Sequence, residues 1–440
     1  MTGRLERRTV RVAMLGCGVV GEGVLRLLRD NASLIAHRLG AELEIRHVVA
    51  ARPDKPRADV VPLDRLHFDP QRALSDPEVD VVVEVIGGLE PAGQYLREAI
   101  ARGKHVVTAN KALLAETPDL VEAAERARVD LYFEAAVAGG IPIVRVLREA
   151  LASDRVVALR GIVNGTSNYV LSRMTHDGLD YEQALAEAQK LGYAEADPTL
   201  DVSGMDACHK LTLLATLAFG ARLTPSQIPT DGIETVGAID VEMAGRFGLM
   251  VKPLAIARLL PDDALDLRVR PALVPVRSPL AGVHGAFNAV LLEGAMLGPC
   301  LLSGLGAGAL PTATSVVSDL VDVARNLLVG AVGRVPSGAI PATERRLSRV
   351  CDPGETVARY YLRFDVKDRT TVLGRIATVL GAFDVAIEQL VQRAGAAGAP
   401  SHVCLLTHPV RERQVRDALR ETRTLHDVVG APRLLQVEES

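Results

Sequence analysis

Residues 10–28 read VRVAMLGCGVVGEGVLRLL. Apart from Arg11, the first six are apolar, the pattern of a strand buried on both faces in a parallel sheet. Gly16-Cys17-Gly18-Val19-Val20-Gly21 follows at once, and then Val24, Leu25, Leu27 and Leu28 recur at helical spacing. Strand, G-x-G-x-x-G and helix in direct succession form the setting that a dinucleotide-binding turn needs. Gly16 permits the tight turn, Gly18 lets a pyrophosphate approach the backbone, and Gly21 lets helix and strand pack closely. Cys17, Val19 and Val20 complete the cofactor-binding turn, and the helix N-terminus faces the phosphates. A free-standing glycine motif is weak evidence; in this context dinucleotide binding outweighs a plain turn.

Outward from that run the alternation continues. A second strand is predicted over 43–50, and after it stands Ala51-Arg52-Pro53-Asp54-Lys55. An acid at this strand end suits the ribose hydroxyls of NAD, whereas a basic residue pairs with the 2′-phosphate of NADP. Arg52 is therefore the expected reader of NADP(H), with Lys55 as helper, and Asp54 leaves room for NAD(H). Residues 79–86 form a strand ending in Gly87-Gly88, 91–102 a helix, 104–108 a strand with Asn110-Lys111 at its end, 118–128 a helix and 129–134 a strand. This gives an open parallel α/β sheet over 1–150, with ligands at the carboxyl ends of the strands, where Gly87 and Lys111 lie. Lys111 near a helix start is not favoured by the helix dipole, which tilts it toward function. Glu134 to Pro142 is small and glycine-rich and reads as a tight turn.

From about 150 to 310 the chain mixes strands (155–163, 252–260, 265–276, 286–293) with helices, an α+β substrate or dimerisation domain. Its centre is the run AQKLGYAEADPTLDVSGMDACHK, residues 188–210. Glu195, Asp197 and Asp201 fall in a loop with Pro198. A helix is predicted to start at Ser203 as N-cap, with Asp206 in the capping-box position. Asp206 and Lys210 are four apart and share a face. Such a pair is ordinarily a solvated surface pair. Here LTLLATLAFGA follows, so the helix is mostly buried, and a lysine drawn partly out of water is a candidate for proton transfer.

The order A-x3-G-Y-A-x2-D-P-x2-D-V-x-G-x-D-x3-K, from Ala188 to Lys210, resembles the signature of homoserine dehydrogenases. The resemblance covers essentially the whole chain. It implies reversible hydride transfer between NADP(H), or NAD(H), and the pair L-homoserine and L-aspartate 4-semialdehyde, in threonine, methionine and isoleucine biosynthesis. With no kinase-like region ahead of the nucleotide domain, it implies the monofunctional form. Lys210 then acts as proton donor and acceptor, Asp206 orients it, Glu195 and Asp201 serve the substrate's ammonium, and Lys111 sits at the junction of cofactor and substrate. The family also implies a bound sodium ion held by backbone carbonyls at Glu134, Val137, Gly139 and Ile141. It implies a nucleotide contact by the glycine-rich loop 303–310, through Gly306 and Gly308. The helix about 311–330 is expected to return to the first domain.

Residues 333–355 show little periodicity and read as a linker. The order β-α-β-β-α-β over 356–440 is ferredoxin-like and resembles the ACT regulatory module, which implies a threonine effector. Asp368-Arg369-Thr370-Thr371-Val372-Leu373 departs from the usual D-R-P-G-V-L, which puts effector binding in question and leaves oligomerisation, as a homodimer or homotetramer, as an alternative role.

Composition narrows the alternatives. Apolar residues make 48 % and charged residues 24 % of the 440, an ordinary globular balance. A net charge of −4 gives no footprint for nucleic acid or an anionic membrane. Cys17, Cys208, Cys300, Cys351 and Cys404 are scattered, which fits a reducing cytoplasm and no disulfide framework. No apolar run is long enough for a membrane span. Two rival readings stay open: another small amino- or hydroxy-acid dehydrogenase, and a non-catalytic nucleotide or amino-acid sensor.

Overall fold

The computed structural model describes residues 8–367, 369–395 and 399–439. Asp368 of the expected effector loop lies outside them. The chain forms two compact units: residues up to Leu159 with Asp206–Ile228 and Asn288–Ser348, and Arg160–Met205 with Pro229–Phe287 and the residues from Arg349 onward.

The first unit is built on six parallel strands, β1 (Thr9–Leu15), β2 (Glu42–Val49), β3 (Leu66–His67), β4 (Val81–Glu84), β5 (His105–Thr108) and β6 (Leu131–Tyr132), in the order β3-β2-β1-β4-β5-β6. This is the doubly wound order, and the strand sequence reverses between β1 and β4, where such sheets bind ligands. Val12, Met14, Val81 and Val83 from the sheet pack with Val24 and Leu25 of helix Val19–Asp30. Helix Ala309–Val329 joins the same core through Val316, Val317, Leu320 and Val323. The two helices touch at Gly23, where a Cβ would lie 2.8 Å from the Ala309 carbonyl oxygen.

This division corrects the expectation of a continuous second domain over 151–310. Residues 206–228 belong with the nucleotide sheet because side-chain contacts tie them there: Lys111 to Asp206, Glu116 to His209 and Glu122 to Arg222. Residues 288–308 join it because the Gly140 amide donates to the Leu305 carbonyl (3.1 Å) and Gly139 lies against Gly306. A strand at Gly298–Leu305 precedes the glycine-rich loop, which therefore starts later than 303.

The 333–355 segment carries only a short turn at Pro353–Glu355, yet it is stitched down. The Gly338 and Ala342 amides donate to the Glu125 carboxylate at 3.4 and 2.9 Å, and the buried Arg345 guanidinium reaches the same group.

In the second unit, strands Leu249–Leu259 and Leu265–Pro275 pair antiparallel along their whole length. The C-terminal run is strand Val357–Val366, helix Val372–Ala382, strands Ile387–Arg393 and Ser401–Thr407, helix Glu412–Thr422 and strand Val428–Val437. Its antiparallel sheet has the spatial order fourth, first, third, second. Alternation in the first strand decides what each face covers. Tyr360, Leu362, Phe364 and Val366 meet the module's own two helices, through Ile376, Leu380, Val415 and Leu419. Tyr361 on the other face packs with Val170, Met174 and Met243 of helices Gly165–Asp177 and Ala238–Arg246. The last strand also pairs parallel with Leu265–Pro275, Gln436 opposite Ala272 and Val437 opposite Leu273. The module is thus fused by sheet and by core to the strands that precede it.

Candidate active site

The glycine turn has the steric form its sequence demands. Gly16 has φ +108, and a Cβ there would lie 2.7 Å from the Val85 carbonyl group. A Cβ on Gly21 would lie 2.5 Å from the Gly16 oxygen. At Gly18, by contrast, nothing lies within 4 Å of a Cβ position, which leaves the open cradle that a pyrophosphate would fill. The residues present therefore fit a dinucleotide. Val19 is exposed at the first helical turn, Val20 is half-buried, and Cys17 is buried. Burial pushes the Cys17 thiol up, against the pull of Arg57.

Arg52 is exposed beyond β2, and sequence reasoning missed its partner. Arg57 donates to the Cys17 carbonyl at 3.1 Å and reaches the Arg52 carbonyl, so one guanidinium joins the glycine turn to the loop after β2. Arg57→Ala is expected to raise the KM for the dinucleotide about tenfold, the value of one charge-assisted hydrogen bond, with kcat within about twofold. Steady-state kinetics checks this, and an unchanged KM would show the two loops to be held independently.

At the ends of β4 and β5, the buried Glu84 accepts from the Ile86 and Gly87 amides at 2.8 and 3.1 Å and from the Thr108 hydroxyl. Gly87 and Gly88 follow with φ +82 and +74, a turn open to glycine. The Asn110 side chain donates to the Gly88 carbonyl (2.7 Å) and accepts from the Leu113 amide (3.2 Å), capping helix Lys111–Glu116. Lys111 is thereby fixed at the first helical position.

Asp206 is the pivot of the constellation. Its Oδ2 lies 2.6 Å from Lys210 Nζ and its Oδ1 lies 3.1 Å from Lys111 Nζ. The Asp206 and Lys210 side chains are only 10 % and 11 % exposed, so this is no solvated surface pair, while Lys111 is 37 % exposed. The helix that carries them runs Met205–Phe219. Ser203 does not cap it, contrary to expectation: Ser203 closes a short helix, Thr199–Val202, and Gly204 at φ +85 makes the turn between the two. The Asp206 carboxylate serves both lysines.

The acidic loop belongs to the second unit. Glu195 is exposed, and its carbonyl accepts from Gln189 at 3.2 Å. Asp201 is not on a loop but in the short helix, since Asp197 accepts from the Thr199 amide at 3.1 Å and starts it. Asn164 donates to the Asp201 carboxylate at 2.8 Å. The Thr166 hydroxyl stands between that carboxylate (3.2 Å) and the Tyr193 carbonyl (2.6 Å). Asn164 also caps helix Gly165–Asp177 by accepting from the Ser167 amide at 2.8 Å. The cap is local to the chain, whereas the bond to Asp201 joins residues 37 positions apart.

Two family models match the chain: "Homoserine dehydrogenase, NAD binding domain" over residues 16–134 and "Homoserine dehydrogenase" over 142–321. A homoserine dehydrogenase of Synechocystis sp. is 39 % identical, covering 98 % of this chain and 99 % of its own. One of Pseudomonas aeruginosa is 41 % identical with the same coverage of each chain. The chain belongs to the homoserine dehydrogenase family. A solved homoserine dehydrogenase from Thiobacillus denitrificans has a TM-score of 0.92 at 41 % identity, covering 98 % of this chain and 99 % of that one. Membership makes the glycine turn part of a nicotinamide-nucleotide domain and the chain an oxidoreductase.

For a member of this family the turn at 134–141 deserves placing. Ala138 and Gly139 have φ +53 and +56 in succession, and the Gly139 carbonyl accepts from the Ser315 hydroxyl at 2.6 Å. The Ile141 carbonyl accepts from the Ile143 amide at 2.8 Å and that of Glu134 from the Val137 amide at 3.3 Å, so three of the four expected carbonyls have one lone pair engaged. The Glu134 carboxylate accepts from the Val144 and Arg145 amides, both at 2.8 Å, and its own amide donates to Asp319 at 2.7 Å. Burial, and then the Glu134 charge, push the Asp319 carboxyl up to about 8. Gly306 owes its identity to packing: a Cβ there would lie 2.0 Å from the Asn288 side chain. Gly308, at φ +121, precedes helix Ala309–Val329 as its cap residue.

Structure thus brings Lys111, Asp206 and Lys210 together in the first unit, with the glycine turn, Arg52, Gly87, Gly306 and Gly308 in the same unit. Glu195 and Asp201 stand in the second. Among the described residues no helix is long and apolar enough to cross a membrane, and all five cysteines are free thiols.

Proposed function

We propose that the chain interconverts L-homoserine and L-aspartate 4-semialdehyde with NADP(H), and that Lys210 carries the proton. The observation behind this is the Asp206 carboxylate, on a mostly buried helix, shared by Lys210 of the same helix and Lys111 of another. The bound nicotinamide supplies or accepts the hydride. In the reducing direction the aldehyde oxygen gains charge, and the Lys210 ammonium stabilises it and then gives it a proton. Asp206 holds Lys210 in the orientation from which that transfer starts. Lys111, more exposed and held to the same carboxylate, binds the substrate's carboxylate. Glu195 receives the α-ammonium, and Asp201 positions the loop by holding Asn164 and Thr166.

Arg52, tied to the turn by Arg57, supports a preference for NADP(H) over NAD(H). The successive left-handed residues Ala138 and Gly139 support sodium ligation by the carbonyls of Glu134, Val137, Gly139 and Ile141. The strand order of residues 357–437 supports an ACT-like module with threonine as effector, in which Thr370-Thr371 replaces the usual Pro-Gly. Exposed Leu301 and Leu305 on strand Gly298–Leu305 support a homodimer or homotetramer, and the free thiols suit the cytoplasm.

The test follows absorbance of the reduced nicotinamide while the full chain receives L-homoserine with NADP or NAD, with and without threonine. Turnover with NADP at a higher kcat/KM than with NAD is the expected result. No turnover with either cofactor in either direction would overturn the assignment. Absence of threonine inhibition would leave the module an assembly element.

A further inference from the structure

A cleft of about 590 Å³ opens in the second unit, apart from the lysine constellation. Helix Glu412–Thr422, the Asp352–Gly354 turn and strands Leu265–Pro275 and Val428–Val437 line it. It is rich in guanidinium groups: Arg270, Arg413, Arg416, Arg420 and Arg423 line it, against the carboxylates of Asp231, Asp352 and Asp417. Behind this lining stand the carboxylates of Glu412 and Glu355, which answer part of its positive charge.

Some of these charges are matched. Arg413 reaches Glu355 and stands 3.7 Å from Asp352, and Arg420 reaches Asp417. Arg423 makes no ion pair among the described residues. The decisive group is Arg270, whose side chain is only 6 % exposed. Its Nη1 shares Glu412 Oε2 with Arg268, at 3.0 and 3.2 Å, and Arg416 takes the other oxygen of that carboxylate at 2.6 Å. One buried acid thus serves three arginines. Burial works against its charge, but the Arg270 and Arg416 guanidinium groups hold the Glu412 carboxyl below its usual range. Asp231, 59 % exposed, stands 3.5 Å from Arg270 Nη2, and the buried Arg270 Nε has no hydrogen-bond partner. A buried, unpaired N–H of a cation is costly, so the Arg270 guanidinium is short of one acceptor.

The geometry points to a second ligand site in this cleft, for a small oxyanion-bearing molecule whose phosphate or carboxylate is taken by Arg270 at the floor and by Arg420 and Arg423 at the rim. The planar fork of a guanidinium matches either group through paired N–H···O bonds, and phosphate accepts from more donors at once. The volume admits a molecule larger than the bare ion. The site lies on the side of helix Glu412–Thr422, so it differs from the glycine turn, and it does not rest on the reaction proposed above.

Pyrophosphate and citrate are the probes, one for each oxyanion class, titrated calorimetrically into the full chain at constant ionic strength and constant sodium, with sodium chloride as control. The comparison protein is the double variant Arg420→Ala, Arg423→Ala; Arg423→Ala alone, which breaks no ion pair among the described residues, replaces it if the double variant melts early. The expected result is saturable binding of pyrophosphate to the parent chain, at least tenfold weaker in the variant. Saturable binding of citrate alone, weakened likewise, assigns the site to carboxylates. Heats no larger than those of sodium chloride, or equal affinity in parent and variant, would overturn the site.

Discussion

Lys210→Ala is expected to lower kcat by about 10³, within the 10²–10⁴ range of a positioned general acid or base, while dinucleotide affinity changes by no more than about threefold. The asymmetry follows from placement. Lys210 is held by Asp206 on helix Met205–Phe219, whereas the cofactor cradle is the backbone of Gly16 to Gly21. Lys210→Arg should be nearly as poor, because a guanidinium keeps its proton at any working pH. Asp206→Asn keeps the shape but removes the charge that faces both lysines, so it should lower kcat and also raise the KM for the amino-acid substrate through Lys111. The measurement is steady-state kinetics in both directions, with dinucleotide binding followed by nicotinamide fluorescence. Turnover of Lys210→Ala near that of the parent chain would remove the lysine from proton transfer. A parallel loss of cofactor affinity would instead make it a structural group.

What could be read from the sequence was what is local in the chain. The turn at Gly16–Gly21 sits between a strand and a helix that encode their own periodicity, and Asp206 with Lys210 needs only the helical repeat. Lys111 could be suspected from its strand end, but its salt bridge to Asp206 joins residues 95 positions apart, which no spacing rule reveals. Arg57 was invisible for the same reason: its bonds are to carbonyl groups, which leave no mark on the partner's identity. Ser203 misled because a cap preference is a local statistic. The four-residue helix at Thr199–Val202 claims that serine first, and Gly204 takes the boundary. Gly306 shows the converse, a glycine whose loop suggested a nucleotide and whose neighbour is the Asn288 side chain. The reach of residues 206–228 and 288–348 into the nucleotide unit was only partly legible, because it depends on long-range pairs such as Arg222 with Glu122.

Deleting residues 356–440 is expected to yield an unfolded second unit and not a deregulated enzyme. Tyr361, Leu406, Leu435 and Val437 from the C-terminal module pack in one core with Val170, Met243, Val251 and Leu273. At about 1.5–3 kcal/mol for each buried apolar side chain, these four groups alone approach the whole stability of a domain, about 5–15 kcal/mol. The charges make the loss worse. Arg268, 1 % exposed in its side chain, would keep Asp266 but lose Glu412, Gln436 and Thr356, and Arg160 would lose Glu438. Removing one partner of a buried ion pair costs about 3–5 kcal/mol. Glu412→Ala isolates that part: with the backbone intact, Arg268 and Arg270 lose their shared carboxylate, and the thermal midpoint should fall steeply. Circular dichroism melts and gel filtration of the full chain, the deletion and Glu412→Ala compare the three. A truncated chain that is monodisperse and melts with the full one would show that the shared sheet and core contribute little. The expected outcome is aggregation of the deletion and an intermediate melt for Glu412→Ala. In that case any effector bound by the module acts on the preceding strands of the second unit directly, through Gln436 and Val437 against Ala272 and Leu273, without a flexible joint to absorb the change.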